Sequence, residues 1–353
     1  MGIRRGIRSS RGRRSAGTQV GVAKTNQAML QRRTFIKLAS SVAASGALAR
    51  TGAAADELRT LHILAVPTDG IKSTLYAQHA KLFQKRGLQT EIMAMGNGAA
   101  IFSALAGGSA DIGSGSLFPV FAAYSRGVPL RIIAPASLYT SDHADAMLMV
   151  QKDGPIHTGR DLNGKTFGTD APKDAFSLAT RAWIDQNGGD GSTLRELELK
   201  PTEQVAALDA GRIDAVVLKS PFLQAAQATG KFRILGRPLD AIGPRFLLSC
   251  WVATVDFIEK NPDVAAGYVA AMKEAAIYTN AHQSATTDMV AQLTGQDPVV
   301  LARGIRSVTA ESFSLADIQR PLDFAVKYGL LAKSFDASAL LANIPASRSG
   351  SRP

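Results

Sequence analysis

One motif in this chain occurs twice, and it restricts the fold more than any other feature. Leu105-Ala106-Gly107-Gly108-Ser109-Ala110-Asp111, running on to Pro119, is answered by Leu208-Asp209-Ala210-Gly211-Arg212-Ile213-Asp214, running on to Pro221. The spacing is 103 residues from Gly108 to Gly211 and again from Asp111 to Asp214. Each copy reads as the end of a small amphipathic helix, a glycine stop, an aspartate and then an apolar strand. A helix that turns at once into a strand needs a residue tolerant of positive φ just past its last turn, and glycine adopts it without steric cost. Ile112-Gly113 and Ala215-Val216-Val217-Leu218 are the short apolar runs of strands buried on both faces. Two such units predict two α/β lobes, although helix-glycine-strand junctions also occur in α/β proteins with no functional duplication.

The chain's 353 residues are enough for two lobes with their own cores. A formal net charge of +11 points to nucleic acid until the charges are located. Eleven of the 40 basic residues fall within residues 1–55, which contain no acid, so the rest carries 29 basic and 29 acidic side chains. The body is neutral and has no polyanion footprint, so no nucleic-acid partner is expected.

Within those first residues, Arg32-Arg33-Thr34-Phe35-Ile36-Lys37 precedes a short Ala/Ser-rich apolar core over residues 38–49, and Ala53-Ala54-Ala55 supplies small residues for a peptidase. The arrangement resembles a twin-arginine signal peptide over residues 1–55, which implies export by the Tat machinery and a soluble periplasmic protein. Its apolar run is too short to span a bilayer, and no later segment approaches ~20 uninterrupted apolar residues. Residues before Met29 add nothing a signal needs, so a translation start at Met29 is expected. The single Cys250 excludes an intramolecular disulfide and a cysteine-based metal cluster.

From Asp56 the pattern is strand, loop and helix in alternation. Residues 61–66 form a strand, Pro67-Thr68-Asp69-Gly70 a loop, and Leu75, His79, Leu82 and Phe83 one face of a helix. A second strand over 88–95 leads to the loop Gly96-Asn97-Gly98, a helix over 99–106 and the first copy of the motif. Ser114-Gly115-Ser116 follows as a loop, then a helix over 117–126 and a strand over 130–134. In open α/β sheets, ligands sit beyond the carboxyl ends of the strands, where helix N-termini present free N–H groups. Thr68, Asp69, Asn97, Ser114, Ser116, Ser137 and Tyr139 are the candidates for that edge. Each is also an ordinary turn former or helix cap.

A strand over 146–150 ends in Gln151-Lys152-Asp153-Gly154-Pro155, the first crossing into the second lobe. Strands over 165–169 and 194–199, helices over 174–187 and 202–210, and the second motif copy follow. A helix over 221–229 carries Pro221 at its first position. The strand over 247–255 returns to the first lobe, with Trp251 either packed in the core or stacked on a ligand, and helices beginning near Pro262, Pro298 and Asp317 complete the chain. In this lobe Thr169, Asp174 and Ser177 mark a helix start, and Lys219 ends the repeated strand.

Asp161-Leu162-Asn163-Gly164-Lys165, then a strand, a polar loop opening a helix, and the Leu-x-x-Gly-x-x-Asp unit resemble the periplasmic solute-binding proteins of ABC importers. The nearest branch includes sulfonate, taurine, nitrate and pyrimidine-precursor binders, and the order of features matches over residues 58–340. The resemblance implies an α/β, two-lobed periplasmic-binding-protein-like fold (type II), with two doubly wound sheets joined by a hinge. Lobe 1 would span 56–148 and 251–345, lobe 2 149–250, and a polar tail 346–353. Such a protein captures a small organic molecule or oxyanion between its lobes and delivers it to an ABC permease in the inner membrane; a monomer is expected. The expected ligand-binding residues are Thr68, Asp69, Asn97, Ser116, Tyr139, Thr169, Asp174, Ser177 and Lys219, with no catalytic residue, metal or cofactor.

One stretch departs from the pattern. Family members often hold an anionic head group at the helix start corresponding to residues 169–177, but here Asp170 and Asp174 place carboxylates there, and Lys173 offsets them only in part. That shifts the expected solute toward a neutral, zwitterionic or aromatic-heterocyclic one. The alternative is an enzyme on the same fold. A dehydratase-like enzyme needs a general acid, for which Asp69, Asp170, Asp174 and Lys219 are the candidates. The related pyrimidine-precursor synthases carry a cysteine cluster, which Cys250 alone does not supply. His143 beside Asp142 and Asp145 has poor spacing for a metal.

Overall fold

A computed structural model describes residues 58–344. The expected signal peptide, the start at Met29 and the polar tail lie outside the described residues. In chain order the elements begin with β1 (Arg59–Ala65), α1 (Lys72–His79), β2 (Leu88–Ala94), α2 (Gly98–Ala106), β3 (Ile112–Ser116), α3 (Leu117–Ser125), β4 (Leu130–Pro135), β5 (Ser137–Thr140) and β6 (Ala146–Gln151). Then come β7 (Thr166–Thr169), α4 (Ala175–Gln186), β8 (Arg195–Glu198), α5 (Pro201–Asp209), β9 (Ala215–Lys219), α6 (Phe222–Ala228), β10 (Phe232–Gly236), β11 (Arg245–Leu247) and β12 (Ser249–Thr254). The C-terminal part adds α7 (Val255–Lys260), α8 (Pro262–Ala281), α9 (Thr287–Thr294), α10 (Pro298–Ala302), β13 (Val308–Thr309) and α11 (Ala316–Lys327).

Two five-stranded sheets have the orders β2-β1-β3-β12-β4 and β8-β7-β9-β6-β10. Position by position they are the same sheet. The strands that follow the repeated motif, β3 and β9, take the central place in each. Beside them lie β12 and β6, antiparallel to both neighbours. The remaining pairs, β1 with β2 and β3, and β7 with β8 and β9, are parallel.

The motif has a structural cause. Gly108 and Gly211 end their helices with φ of 73° and 68°, the left-handed conformation that only glycine takes freely. Asp111 then donates its N–H to the His62 carbonyl at 2.9 Å and accepts the His62 N–H on its carboxylate at 2.8 Å. Asp214 does the same with Thr166, at 2.8 Å for both bonds. Each aspartate therefore fixes the entry of its central strand to the parallel strand beside it, Asp111 at the middle of β1 and Asp214 at the start of β7.

Three expectations differ from the structure. Ser114-Gly115-Ser116 is the second half of β3, because Ser114, Gly115 and Ser116 pair with Trp251, Cys250 and Ser249 of the distant β12. Ser137 and Tyr139 belong to β5, which joins β11 and β13 in a small third sheet. Pro221 is the N-cap of α6, which starts at Phe222. Trp251 is fully buried edge-on to Tyr268, with ring centroids 5.9 Å apart, so it is a core residue. Burying an aromatic body of this kind contributes on the order of 2–3 kcal/mol.

Candidate functional site

A cavity of about 90 Å³ lies between the carboxyl ends of the two large sheets. From the first sheet's side, Thr68, Gly98, Ser114, Ser116, Ser137 and Ser249 line it. From the second come Asp170, Asp174, Phe176, Gln204, Lys219 and Phe222. Gly98, Ser116, Asp174 and Pro201 are caps or first residues of α2, α3, α4 and α5, so the positive ends of four helices converge on it.

Four of the nine expected residues line the cavity: Thr68, Ser116, Asp174 and Lys219. The other five do not line it. Asp69 is fully buried and accepts from Arg306 Nη2 at 2.6 Å, Arg306 Nε at 3.0 Å and the Ser307 N–H at 2.7 Å. Asn97 caps α2 through the Ala100 N–H at 2.9 Å and donates to Glu198 Oε1 at 3.2 Å, linking the two halves. Tyr139 is buried against Phe246 and donates to Asp240 at 2.8 Å; burial, with that carboxylate, pushes its phenol up. Thr169 donates to the Ala171 carbonyl at 3.0 Å, and Ser177 is buried in the first turn of α4.

Asp174 serves two purposes. Its Oδ1 accepts the Ser177 N–H at 2.8 Å, which caps α4. Burial, together with a hydrogen bond to Asp170 and that neighbour's charge, holds its carboxyl well above the usual carboxylate range. Lys219, at the end of β9, is 9% exposed, with Nζ 3.1 Å from Ser137 Oγ and 3.3 Å from Asp145 Oδ2.

Behind Lys219 runs a buried polar network. Asp145 Oδ2 accepts from Ser307 Oγ at 2.5 Å, Ser307 also receives the Lys72 ammonium on its carbonyl, and its own N–H binds Asp69. Burial, reinforced by Arg306 and Lys219, lowers the Lys72 pKa, against the pull of Asp69 and Asp145. Arg306 and Ser307 carry much of this arrangement, yet they sit in an irregular stretch after α10 with no motif to mark them. Asp170, Gln204 and Ser249 also line the cavity and are not among the nine expected residues. Of these, only Asp170 carried a signal in the sequence, its place at a helix start.

A family model described as NMT1/THI5 like matches residues 71–286, more than half of the chain. The chain belongs to the NMT1/THI5-like family. A relative from Escherichia coli (strain K12), named a taurine-binding periplasmic protein, is 30% identical over 171 residues, covering 48% of this chain and 50% of that one. A second from the same strain, whose name gives aliphatic sulfonates as its ligands, is 26% identical over 273 residues, covering 74% and 82%. Among solved structures, this family member is similar to the periplasmic aliphatic sulphonate binding protein SsuA from Escherichia coli, with a TM-score of 0.65 at 23% identity over 80% of this chain and 97% of that one. SsuA from Xanthomonas axonopodis pv. citri, bound to MOPS, gives 0.66 at 20% identity over 80% and 98%. The fold is that of the periplasmic binding proteins.

Proposed function

We propose that the protein is the solute-binding component of an ABC importer, which captures a small organic molecule or oxyanion and hands it to a permease in the inner membrane. The observation that carries this reading is the cavity, whose walls come from both sheets and whose size suits one small molecule. The relatives' names, which give taurine and aliphatic sulfonates as ligands of those proteins, support the same class. Thr68, Ser116, Asp174 and Lys219 contact the solute, while the remaining expected residues brace the walls. The two sheets form hinged lobes, with lobe 1 over 56–148 and 251–345 and lobe 2 over 149–250. Bonds such as Asn97 to Glu198 and Lys219 to Ser137 join the halves around the cavity, so a solute touching both sides favours the closed form. Export follows the twin-arginine leader, and the protein acts as a monomer. The enzyme alternative draws no support from Cys250, which is fully buried with its thiol pKa raised by burial.

A thermal-shift screen of the purified full chain against sulfonates, nitrate, pyrimidines, aromatic acids and amino-acid derivatives tests the reading. A ligand at ~100 times its Kd stabilises by about 2.7 kcal/mol. A hit recovered unchanged after incubation supports the receptor; a hit converted to product moves the protein to the enzyme reading.

A further inference from the structure

We infer that residues 304–307 form a clasp that draws the second half of the molecule closed against the first before any solute arrives. This rests on the hinged-receptor reading above and identifies what sets its closed fraction. The stretch runs between α10 and β13 and is fastened to the first half, since Arg306 binds Asp69 and the Ser307 carbonyl takes the Lys72 ammonium. It grips the second half at both ends of one segment, from Lys219 at the end of β9 to Gln224 in α6. Gln224 Nε2 donates to the Ile305 carbonyl at 2.6 Å. Ser307 Oγ donates to Asp145 Oδ2, which also pairs with Lys219. Between these two grips, the Ser220 N–H donates to the Asp145 carbonyl at 3.3 Å and the Ser220 carbonyl accepts the Asp69 N–H at 3.2 Å.

Gly304 makes the grip possible. It is not among the glycines with positive φ, so glycine is needed there for space and not for conformation. A Cβ on Gly304 would overlap the Gln224 side chain and stand 2.6 Å from its Cδ. Gln224 is 4% exposed and lies outside the cavity lining, so this contact joins protein groups alone and requires no solute. The seam is polar and incompletely paired. Asp145 Oδ1, Ser220 Oγ and Gln224 Oε1 are buried without a hydrogen-bond partner, three of the six such side-chain atoms among the described residues. Each unpaired acceptor favours opening, which brings it to water, while the bonds across the seam favour closure. The clasp therefore biases the halves toward closure without locking them.

The test reads the opening of the full chain without solute. Spin labels on Ala99→Cys and Glu203→Cys sit at exposed positions in the first turns of α2 and α5, on opposite sides of the cavity, and the buried Cys250 stays in place. The labelled parent is expected to show mainly the short distance. Gln224→Leu removes the donor at nearly the same volume and is expected to lower the closed-to-open ratio at least about threefold. Gly304→Ala forces Gln224 aside and is expected to lower it about tenfold or more. Asp214→Ala weakens the fold at the other end of β9 and is expected to leave the ratio unchanged, which separates the clasp from general destabilisation. A parent that shows mainly the long distance overturns the proposal. So does one ratio shared by the parent and both clasp variants, or an equal shift in Asp214→Ala. None of these results bears on the receptor reading, which the solute screen tests by a different readout.

Discussion

The Asp214 carboxylate accepts the Thr166 N–H at 2.8 Å while the Asp214 N–H donates to the Thr166 carbonyl at the same distance. This two-way clamp sits where β9 enters the second sheet beside β7. Asp214→Ala leaves the Thr166 N–H without its acceptor and is expected to cost about 1–3 kcal/mol, read as a lowered urea midpoint at unchanged m-value. Asp214→Asn retains an oxygen acceptor and is expected to lose less. The matching Asp111→Ala acts at the more exposed His62 and is expected to cost less than Asp214→Ala.

Asp69 and Arg306 form a pair that is 0% and 4% exposed, 237 residues apart in sequence. Removing either partner strands the other's charge, so Asp69→Ala or Arg306→Ala is expected to cost about 3–5 kcal/mol. The double variant is expected to be far less than additive, and a denaturant double-mutant cycle measures the difference.

Asp174 holds its proton above the pH at which the same carboxyl ionises in the unfolded chain. Across that interval the native state binds more protons than the unfolded state, so stability falls as pH rises from the ordinary carboxylate range toward the raised native pKa. Asp174→Asn mimics the protonated acid. Urea midpoints measured from pH 4 to pH 8 are expected to fall less steeply in the variant, which gains on the wild type as pH rises.

Gly115 lies where α2 crosses β3 beside the cavity. A Cβ there would stand 2.8 Å from Phe102 Cζ and 3.0 Å from the Gly98 Cα. Gly115→Ala must push the first turn of α2 outward and is expected to destabilise by about 1–3 kcal/mol. A thermal melt checks the loss, and a ligand titration checks the displaced cavity wall.

Local chemistry determined much of this protein. Gly108 and Gly211 end their helices because no other residue takes positive φ so cheaply, and the aspartates after them meet the neighbouring strand in the same way in both halves. That is why the motif, read from sequence, marks the central strand of each sheet. The helix starts at Asn97 and Asp174 were legible for the same reason, since capping depends on a few adjacent residues.

The tertiary structure decided which polar residues line the cavity. Asp69 and Thr68 are neighbours, yet Asp69 turns away because Arg306, far along the chain, reaches it, while Thr68 stays on the cavity wall. Ser114 became part of a strand because β12 returned beside it, and Lys219 gained both Asp145 and Ser137 from other segments. Caps and glycine stops are local interactions, so the sequence alone carries them; the partner of a buried charge is set by long-range packing, which no short stretch of sequence contains.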